Sequence, residues 1–261
     1  MNCLIETALL THGLRSIANE ELAQSWHCPD AILAWVDGGK LKLGPIGEYL
    51  PFRERSEELI RIDCDHLEKA LQTGASGALT ASGTMAVCRR LDIPMAITCG
   101  MGGIGDLRGE ELCPDLPALM NIPVALISTS PKDMLDRPAT LDWLRRHGVH
   151  TAGEPCTGYL FCGEPVALEL PLSSCNNEAA VRRLTANGGL LLLNPIPEKE
   201  RVQDRSILVD AIKAGKQAEA EGHYYHPAAN GEIDRRTDGY SSRIQLESIQ
   251  QNYLLAKSIM D

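Results

Sequence analysis

The chain is poor in aromatic residues, which make up 4% of its 261 residues. Its hydrophobic content is nevertheless 44%, so a core must be built mainly from Leu, Ile, Val, Ala and Met. The chain also has no excess of basic residues, because its net charge is −10. We therefore expect no nucleic-acid partner, since such a partner requires a basic face.

Long apolar runs and paired cysteine motifs are missing as well. No hydrophobic stretch reaches the roughly 20 residues of a membrane-spanning helix, so no membrane partner is expected. The nine cysteines form no Cys-x-x-Cys pair, and several have apolar neighbours, which predicts reduced thiols in a cytoplasmic protein. No Ser- or Gly-rich linker and no internal repeat divides the chain, which favours one domain over residues 1–261.

Short apolar runs alternate with amphipathic segments along the chain. The pattern predicts strands at 3–10, 31–36, 77–80, 95–98, 122–127 and 188–193, with a hairpin turn at 37–39. It predicts helices opening at an Asn19 cap and covering 66–73, 85–91, 140–147, 177–186, 206–221 and 243–260. Residues 48–65 are charged and are predicted to be irregular. Strands that alternate with helices indicate a layered α/β fold.

Lys132 follows the predicted strand at 122–127, in a Ser-Thr-Ser-Pro-Lys turn ahead of a predicted helix start. Open α/β sheets bind ligands at the carboxyl ends of their strands. A helix N-terminus would lower the pKa of a nearby ammonium, and a partly neutral lysine can attack a carbonyl and form an imine. The plain alternative is a solvated surface lysine, which position alone favours.

Glu6 is an acidic residue inside the first apolar strand. Burial would raise the pKa of its carboxyl, which suits a residue that transfers protons. Isolated acids in apolar strands are uncommon without a partner, so a functional role is at least as well supported as a structural one.

Three further patterns each allow a ligand or a purely structural role. The glycine-rich run at 99–109 follows a strand and could cradle an anion with free amides, or be a plain tight loop. Ser82, Gly83 and Thr84 follow another strand, where they could bind a phosphate or cap a helix. Asp115 lies between two prolines and could cap a helix or hold a divalent ion.

Two other segments also allow either a functional or a structural role. The two histidines at 223 and 226 could form a metal pair, but a polar surface segment is favoured because no third ligand is evident. The sequence Asn-Pro-Ile-Pro at 194–197 ends a strand rigidly and either lines a pocket or shapes a turn.

These segments occur in an order that is shared with one protein family. They are residues 6–13 with Asn19, then 77–85, 98–109, 114–116, 132–136, 140–144 and 194–198. Together they resemble the pseudouridine-5′-phosphate glycosidase family, which also contains the indigoidine synthase A-like proteins. The similarity runs over nearly the whole chain.

The resemblance implies an enzyme that reversibly cleaves the C–C bond between C1′ of ribose 5-phosphate and C5 of uracil. It implies that Lys132 opens the sugar and holds it as an imine at C1′, and that Glu6 transfers a proton. It further implies that Asp115 binds Mn²⁺, or another divalent cation, mostly through water. The expected fold is a single α/β/α sandwich with a mixed, mostly parallel central sheet, assembled as a homotrimer.

Eight more residues are expected to bind the substrate or its phosphate: Ser82, Gly83, Thr84, Thr98, Arg108, Cys113, Asn194 and Arg243. Several family contacts are nevertheless replaced in this chain. A phosphate-binding lysine is missing from 60–65, a serine is replaced by Cys113, and a base-contacting asparagine is replaced by Arg243. The family histidine in the glycine-rich loop is also missing. Arg61, Arg108 or Arg243 could supply the lost positive charge.

The replaced contacts predict a glycosidic C–C or C–N bond lyase whose small-molecule substrate differs from pseudouridine 5′-phosphate, most of all in its aglycone. A biosynthetic C-glycosynthase would use the same site in reverse. A non-catalytic paralogue that binds a sugar phosphate is a third reading, which the retained Glu6, Asp115 and Lys132 disfavour. A nicotinamide-dependent dehydrogenase is disfavoured because no acid follows a true Gly-x-Gly-x-x-Gly at the required distance.

Overall fold

The computed structural model describes residues 2–105, 113–186, 188–223 and 225–260. The strands of this part are β1 (Cys3–Ile5), β2 (Leu33–Asp37), β3 (Lys40–Gly44), β4 (Ile60–Ile62), β5 (Gly77–Leu79), β6 (Met95–Ile97), β7 (Gly100–Met101), β8 (Ala125–Ser128), β9 (Ser130–Pro131), β10 (His150–Gly153) and β11 (Leu190–Leu193). The α-helices are α1 (Asn19–Ser25), α2 (Ile46–Arg53), α3 (Leu67–Thr73), α4 (Ala81–Arg90), α5 (Asp115–Asn121), α6 (Arg137–Arg146), α7 (Glu178–Thr185), α8 (Ser206–Ala220), α9 (Tyr225–Arg236) and α10 (Tyr240–Met260).

The central sheet of the described residues has the strand order β10-β11-β8-β6-β1-β2-β5-β4, and β3 also pairs with β2. Strand β2 runs antiparallel to β3 and to β5, and the remaining pairs are parallel. This confirms a mixed, mostly parallel sheet. The separate pair β7 and β9 extends the strands β6 and β8 beyond this sheet.

The register brings several strand ends to one edge of the sheet. Ile5 is paired with Ile97, and Ile97 with Ile127, so β1, β6 and β8 end at the same level. The backbone N–H of Thr7 donates to the carbonyl of Leu79, which brings the end of β5 to the same place. Glu6, Thr98 and Thr80 each follow the end of a strand and therefore lie close together at this edge. Glu6 and Thr98 are 92 residues apart in the sequence.

The core is divided by the sheet into two apolar layers, because successive strand residues face opposite sides. Ile5 and Ile97 pack with side chains of α1, α2 and α7–α10, whereas Leu4 and Ala96 pack with side chains of α3–α6. This arrangement confirms the α/β/α architecture. In the part of the chain that the structure describes, no helix is long and apolar enough to span a bilayer.

Two helices occur where the sequence pattern indicated none. Helix α2 begins at Ile46 and extends into the charged segment 48–65, which also contains strand β4, and helix α9 begins at the Tyr-His segment that was predicted to be a polar surface. Both predictions are wrong for one reason: tertiary packing outweighs weak local propensity. In α2, Tyr49 and Phe52 pack against Trp35, and in α9 Tyr225 is buried.

The predicted helix starts also need correction. Asn19 is the first residue of α1 rather than its cap, and its side chain bonds to Arg53 and to the carbonyl of Leu50. Helix α4 is capped by Thr80, whose hydroxyl accepts from the N–H of Gly83. Helix α6 begins at Arg137, five residues after Lys132, so the lysine turn does not lead directly into this helix.

Candidate active site

A polar cleft opens where the strand ends meet. It is small, about 50 Å³, and partly open to solvent. Its walls are formed by Glu6, Ala8, Leu9, Gly13, Arg61, Thr80, Ala81, Thr98, Gly100, Asp115, Lys132, Tyr159, Asn230 and Gln245. The cleft therefore collects residues from both helical layers and from the sheet edge between them.

Glu6 projects into the cleft directly after β1, with 6% of its surface exposed. Its Oε1 accepts a hydrogen bond of 2.5 Å from the hydroxyl of Thr98. Burial raises the pKa of Glu6 to about 7, opposed by the Thr98 hydrogen bond and reinforced by the negative charge of Asp115. The carboxyl can therefore gain or release a proton near neutral pH.

Lys132 lines the same cleft, and its backbone N–H donates to the carbonyl of Met101 at 3.2 Å. Burial lowers the pKa of its amine, and the positive charge of Arg61 lowers it further, against the attraction of Cys113, Glu6 and Asp115. The pKa of the amine is thus shifted in the expected direction, with burial as the largest cause. A lowered pKa favours the neutral form of the amine.

Asp115 is nearly buried at the first residue of α5. Its two carboxylate oxygens accept backbone hydrogen bonds from Ser82 at 3.1 Å and from Gly102 at 2.8 Å, so it joins the start of α4 to the glycine-rich loop instead of capping its own helix. Glycine is required at 102, because a Cβ there would lie 1.9 Å from the Sγ of Cys113. The glycine-rich loop is thereby fixed against α5.

Arg61 supplies a second positive charge to the cleft from the middle of β4. No ion pair joins it to a carboxylate in the described part of the chain. Its charge lowers the pKa of Lys132. The pKa of His12 is lowered to about 4, first by burial and next by the charge of Arg61. Arg61 is therefore suited to attract an anion into the cleft.

Tyr159 and Gln245 form a neutral polar wall that the sequence did not indicate. The Tyr159 hydroxyl donates to Gln245 Oε1 at 2.9 Å and also lies 3.2 Å from Cys99 Sγ. The loop that carries Tyr159 is held by Asp133, whose carboxylate accepts the backbone N–H groups of residues 159–161 at 2.7–3.0 Å. The neighbour of Lys132 in the sequence thus fixes the opposite wall of the cleft.

The segment Ser82, Gly83 and Thr84 forms the first turn of α4, where all three residues are buried. Gly83 donates its N–H to Thr80, and the Thr84 hydroxyl donates to the carbonyl of Thr80. These groups are engaged within the protein, and the helix start reaches the cleft through Thr80 and Ala81 instead. Their predicted contact with phosphate is not tested by this arrangement.

The other predicted binding residues occupy different places. Thr98 lines the cleft, whereas Asn194 lies behind it and donates to Asn252, which in turn donates to the carbonyl of Thr98. Arg243 is half exposed and pairs with Glu21 at 3.0 Å. Cys113 is partly buried and acts electrostatically on Lys132. Arg108 lies outside the described residues.

The structure therefore brings together Glu6, Lys132, Asp115 and Thr98, as the sequence predicts. It adds Tyr159, Asn230 and Gln245, which sequence reasoning missed. Gln245 had a signal, because it falls within the family-like segment Ser-Arg-Ile-Gln-Leu at 242–246. Asn230 and Tyr159 had none, because one lies on a helix that was not predicted and the other in an irregular loop.

A metal site can be tested against these side chains. Among the described residues no cluster of three His, Cys, Asp or Glu side chains could hold an ion directly. Each oxygen of Asp115 accepts one backbone hydrogen bond and keeps a second lone pair. Asp115 therefore fits a hydrated cation held through water, and it does not form part of a direct protein cage.

Comparison with known proteins agrees with this fold. The model of the indigoidine synthase A-like family matches residues 4–260, so the chain belongs to that family. It is 28% identical over 276 residues to a pseudouridine-5′-phosphate glycosidase of Methylobacterium nodulans, covering 98% of this chain and 81% of that one. It is 27% identical over 277 residues to one of Petrotoga mobilis, covering 98% and 89%.

Solved structures show the same fold. An indigoidine synthase A-like protein of Thermotoga maritima superimposes with a TM-score of 0.79 at 20% identity, covering 98% of this chain and 91% of that chain. The prealnumycin C-glycosynthase AlnA, solved in complex with ribulose 5-phosphate, gives a TM-score of 0.76 at 22% identity, covering 98% and 90%.

Proposed function

We propose that this protein is a glycosidase, or lyase, that breaks the bond between C1′ of ribose 5-phosphate and a heterocycle through an imine on Lys132. The observation that carries the proposal is the pairing of two groups in one cleft. Burial lowers the pKa of the Lys132 amine and raises that of the Glu6 carboxyl to about 7. The first shift favours a neutral amine and the second favours a protonated acid. The relatives named pseudouridine-5′-phosphate glycosidases support the reaction class.

The first step uses Lys132 as a nucleophile. Its nitrogen bonds to C1′ as the bond between C1′ and the ring oxygen breaks, and a proton passes from the amine to that oxygen. The nitrogen lone pair then forms a C1′=N bond while the bond from C1′ to the aglycone breaks. The electron pair released on the aglycone takes a proton from Glu6, so no free carbanion has to form.

The second half of the reaction restores both residues. Water adds to C1′ of the protonated imine, the C–N bond breaks, and ribose 5-phosphate leaves as its open-chain aldehyde. The proton released in this hydrolysis returns to the Glu6 carboxylate, and Lys132 becomes a neutral amine again. Thr98 keeps the carboxyl aimed at the reacting atoms through its hydrogen bond to Oε1. Synthesis of the glycoside is the same sequence in reverse.

The phosphate is assigned to Arg61. Of the three arginines that could replace the missing family lysine, Arg61 lines the cleft, Arg243 pairs with Glu21 at the surface, and Arg108 lies outside the described residues. A guanidinium binds phosphate through two parallel hydrogen bonds, which contribute about 1.5–3 kcal/mol each when charged groups are involved.

A divalent cation, proposed as Mn²⁺, is assigned to Asp115 through water. When bound, such a cation supplies positive charge that attracts and orients the oxygens of the sugar phosphate. Asp115 would hold it with the oxygens that also accept from Ser82 and Gly102.

Borohydride trapping tests the role of Lys132. Incubation with ribose 5-phosphate and borohydride should add one reduced pentose phosphate to Lys132, detected by peptide mass spectrometry. Lys132→Ala should give no adduct, and Lys199→Ala, which changes a surface lysine with 83% of its side chain exposed, should trap as much as the unchanged protein. An unmodified Lys132 under these conditions would contradict the proposal.

Substitution of Arg61 tests the phosphate assignment. Arg61→Ala should raise KM for ribose 5-phosphate at least about 10-fold, the equivalent of one charged hydrogen bond. Trapping of unphosphorylated ribose should change less, because there the only loss is the charge that lowers the pKa of the Lys132 amine. Arg243→Ala is the matched control and should change neither value by more than about two-fold, because its partner is Glu21. Equal effects on ribose and ribose 5-phosphate would exclude Arg61 as the phosphate ligand.

A further inference from the structure

Asn230 is a neutral residue of the cleft wall whose side-chain oxygen has no hydrogen-bond partner among the described residues. It lies on α9 and lines the same cleft as Glu6 and Lys132. Its Oδ1 is buried, yet within the described residues no donor reaches it. Buried polar atoms in folded proteins almost always have a hydrogen-bond partner, so an exception inside a cleft points to a ligand.

The neighbouring neutral groups of the cleft are already committed. Gln245 accepts from the Tyr159 hydroxyl at 2.9 Å and donates to the carbonyl of Ser241 at 3.1 Å. Tyr159 also packs against Gly100, where a Cβ would lie 2.7 Å from its ring. The amide of Gln245 and the ring of Tyr159 are thus fixed in position, which leaves Asn230 as the adaptable polar group of this wall.

The charged and neutral residues of the cleft come from different layers of the molecule. Asp115 starts α5, which packs in the layer of α3–α6, and Arg61 lies on the sheet. Asn230 and Gln245 come from α9 and α10, which pack in the opposite layer. A sugar phosphate complements the charged side, and an uncharged heterocycle complements the neutral one.

We propose that Asn230 is a specificity-determining residue that binds the aglycone through a lactam or imide edge, an N–H next to a C=O. This inference rests on the function proposed above and specifies the class of its aglycone. The carboxamide offers one acceptor and one donor side by side, which matches such an edge with two hydrogen bonds. The match holds whichever way the amide is turned, because its oxygen and nitrogen exchange places.

Asn230 should make the site selective for aglycones that carry a ring N–H. A site built to bond a ring N–H rejects an analogue without it, because the buried carbonyl of Asn230 is then left unpaired. An aglycone whose ring nitrogens are methylated should therefore bind poorly, although its carbonyls and its apolar surface are retained.

Base binding can be measured with two probes, uracil and 1,3-dimethyluracil, by ligand-observed NMR on the full-length protein saturated with ribose 5-phosphate. The unchanged protein should bind uracil at least about 10-fold more tightly than the dimethyl analogue. Asn230→Leu should weaken uracil binding about 10-fold and leave binding of the dimethyl analogue within about two-fold, so the preference is lost. Gln217→Leu removes an exposed amide of α8 and should change nothing.

Each remaining outcome is decisive. If Asn230→Leu keeps the preference for uracil, or if the unchanged protein binds neither base while Lys132 still traps ribose 5-phosphate, the inference is wrong. Absence of any Lys132 adduct would instead contradict the proposed function. The difference in binding between uracil and 1,3-dimethyluracil tests the role of Asn230 independently of that adduct. If Asn230→Leu lowers the melting temperature, Asn230→Ala provides the same comparison.

Discussion

Glu6 and Lys132 show how one environment adjusts two residues in opposite directions. Removing a group from water disfavours its charged form, so burial raises the pKa of the acid and lowers that of the amine. The nearby charges only partly oppose this: Lys132 and Arg61 favour the ionised form of Glu6, and Asp115 disfavours it. The cleft thus favours the neutral form of both side chains, which is the form that the proposed reaction requires.

This shift makes stability depend on pH at the residue scale. A carboxyl whose pKa rises from 4.5 to about 7 on folding binds protons more tightly when folded, so the free energy of unfolding falls as pH rises between those values. The loss from this single group should be about 3 kcal/mol between pH 4 and pH 8. Glu6→Gln should abolish it, as measured by denaturant unfolding at both pH values.

Glu57→Gln is the control for this measurement, because Glu57 is exposed on the surface. The pH dependence of its unfolding should match that of the unchanged protein. If Glu6→Gln and the unchanged protein lost the same stability between the two pH values, Glu6 could not be a buried acid of raised pKa.

At the scale of elements, Asp133 connects the lysine turn to the loop of Tyr159. Its carboxylate accepts three backbone N–H groups, at residues 159, 160 and 161. A turn after β9 and an irregular loop are thereby held as one unit across the cleft. The distance between the amine and the neutral wall then depends on one side chain.

Replacing Asp133 should therefore affect both stability and catalysis. Asp133→Ala leaves three N–H groups without their acceptor and should lower the free energy of unfolding by about 3 kcal/mol or more. The rate of Lys132 trapping should fall as well, because the turn loses its anchor. Asp133→Asn keeps one acceptor oxygen and should give an intermediate loss, measured by denaturant unfolding.

The matched control is Asp142→Asn on α6. Asp142 is exposed and pairs with Arg146, a surface interaction that contributes about 0.5 kcal/mol or less. If Asp133→Ala lost no more stability than Asp142→Asn, the three hydrogen bonds would not hold the loop.

At the scale of the whole molecule, helices of both layers, strand ends and loops meet at one edge of the sheet, where charged and neutral polar side chains share one cleft. Arg61, Asp115 and Lys132 supply charge, while Tyr159, Asn230 and Gln245 supply neutral polar contacts. The homotrimer that the resemblance implies stays a prediction, which light scattering of the purified protein would check.

Metal binding can also be followed on the whole molecule, without reference to activity. A ligand that binds only the folded state raises the melting temperature. Mn²⁺ should therefore stabilise the unchanged protein, and chelation should reverse the gain. Asp115→Asn should lose this response, whereas Asp142→Asn should keep it. An equal response in Asp115→Asn would remove Asp115 from the proposed site.

Much of the fold follows from local sequence. The apolar runs at β1, β6, β8 and β11 predicted their strands. A strand that is covered by helices on both faces of the sheet needs apolar residues at successive positions, and this produces a continuous apolar run in the sequence. Helix α2 was not predicted, because Pro51 and several charged residues interrupt its helical pattern. Its apolar residues are recognised only from their contact with Trp35 in the folded protein. Helix α9 was missed for the same kind of reason.

The sequence by itself determined most strands, the layered class and the candidate residues Glu6 and Lys132, because short-range periodicity and residue chemistry are local properties of the chain. Only the tertiary structure decided that Arg61 lines the cleft, that burial lowers the pKa of Lys132, and that Asn230 joins the wall. Those properties depend on burial and on contacts between residues far apart in the chain, and local pattern carries no information about such contacts.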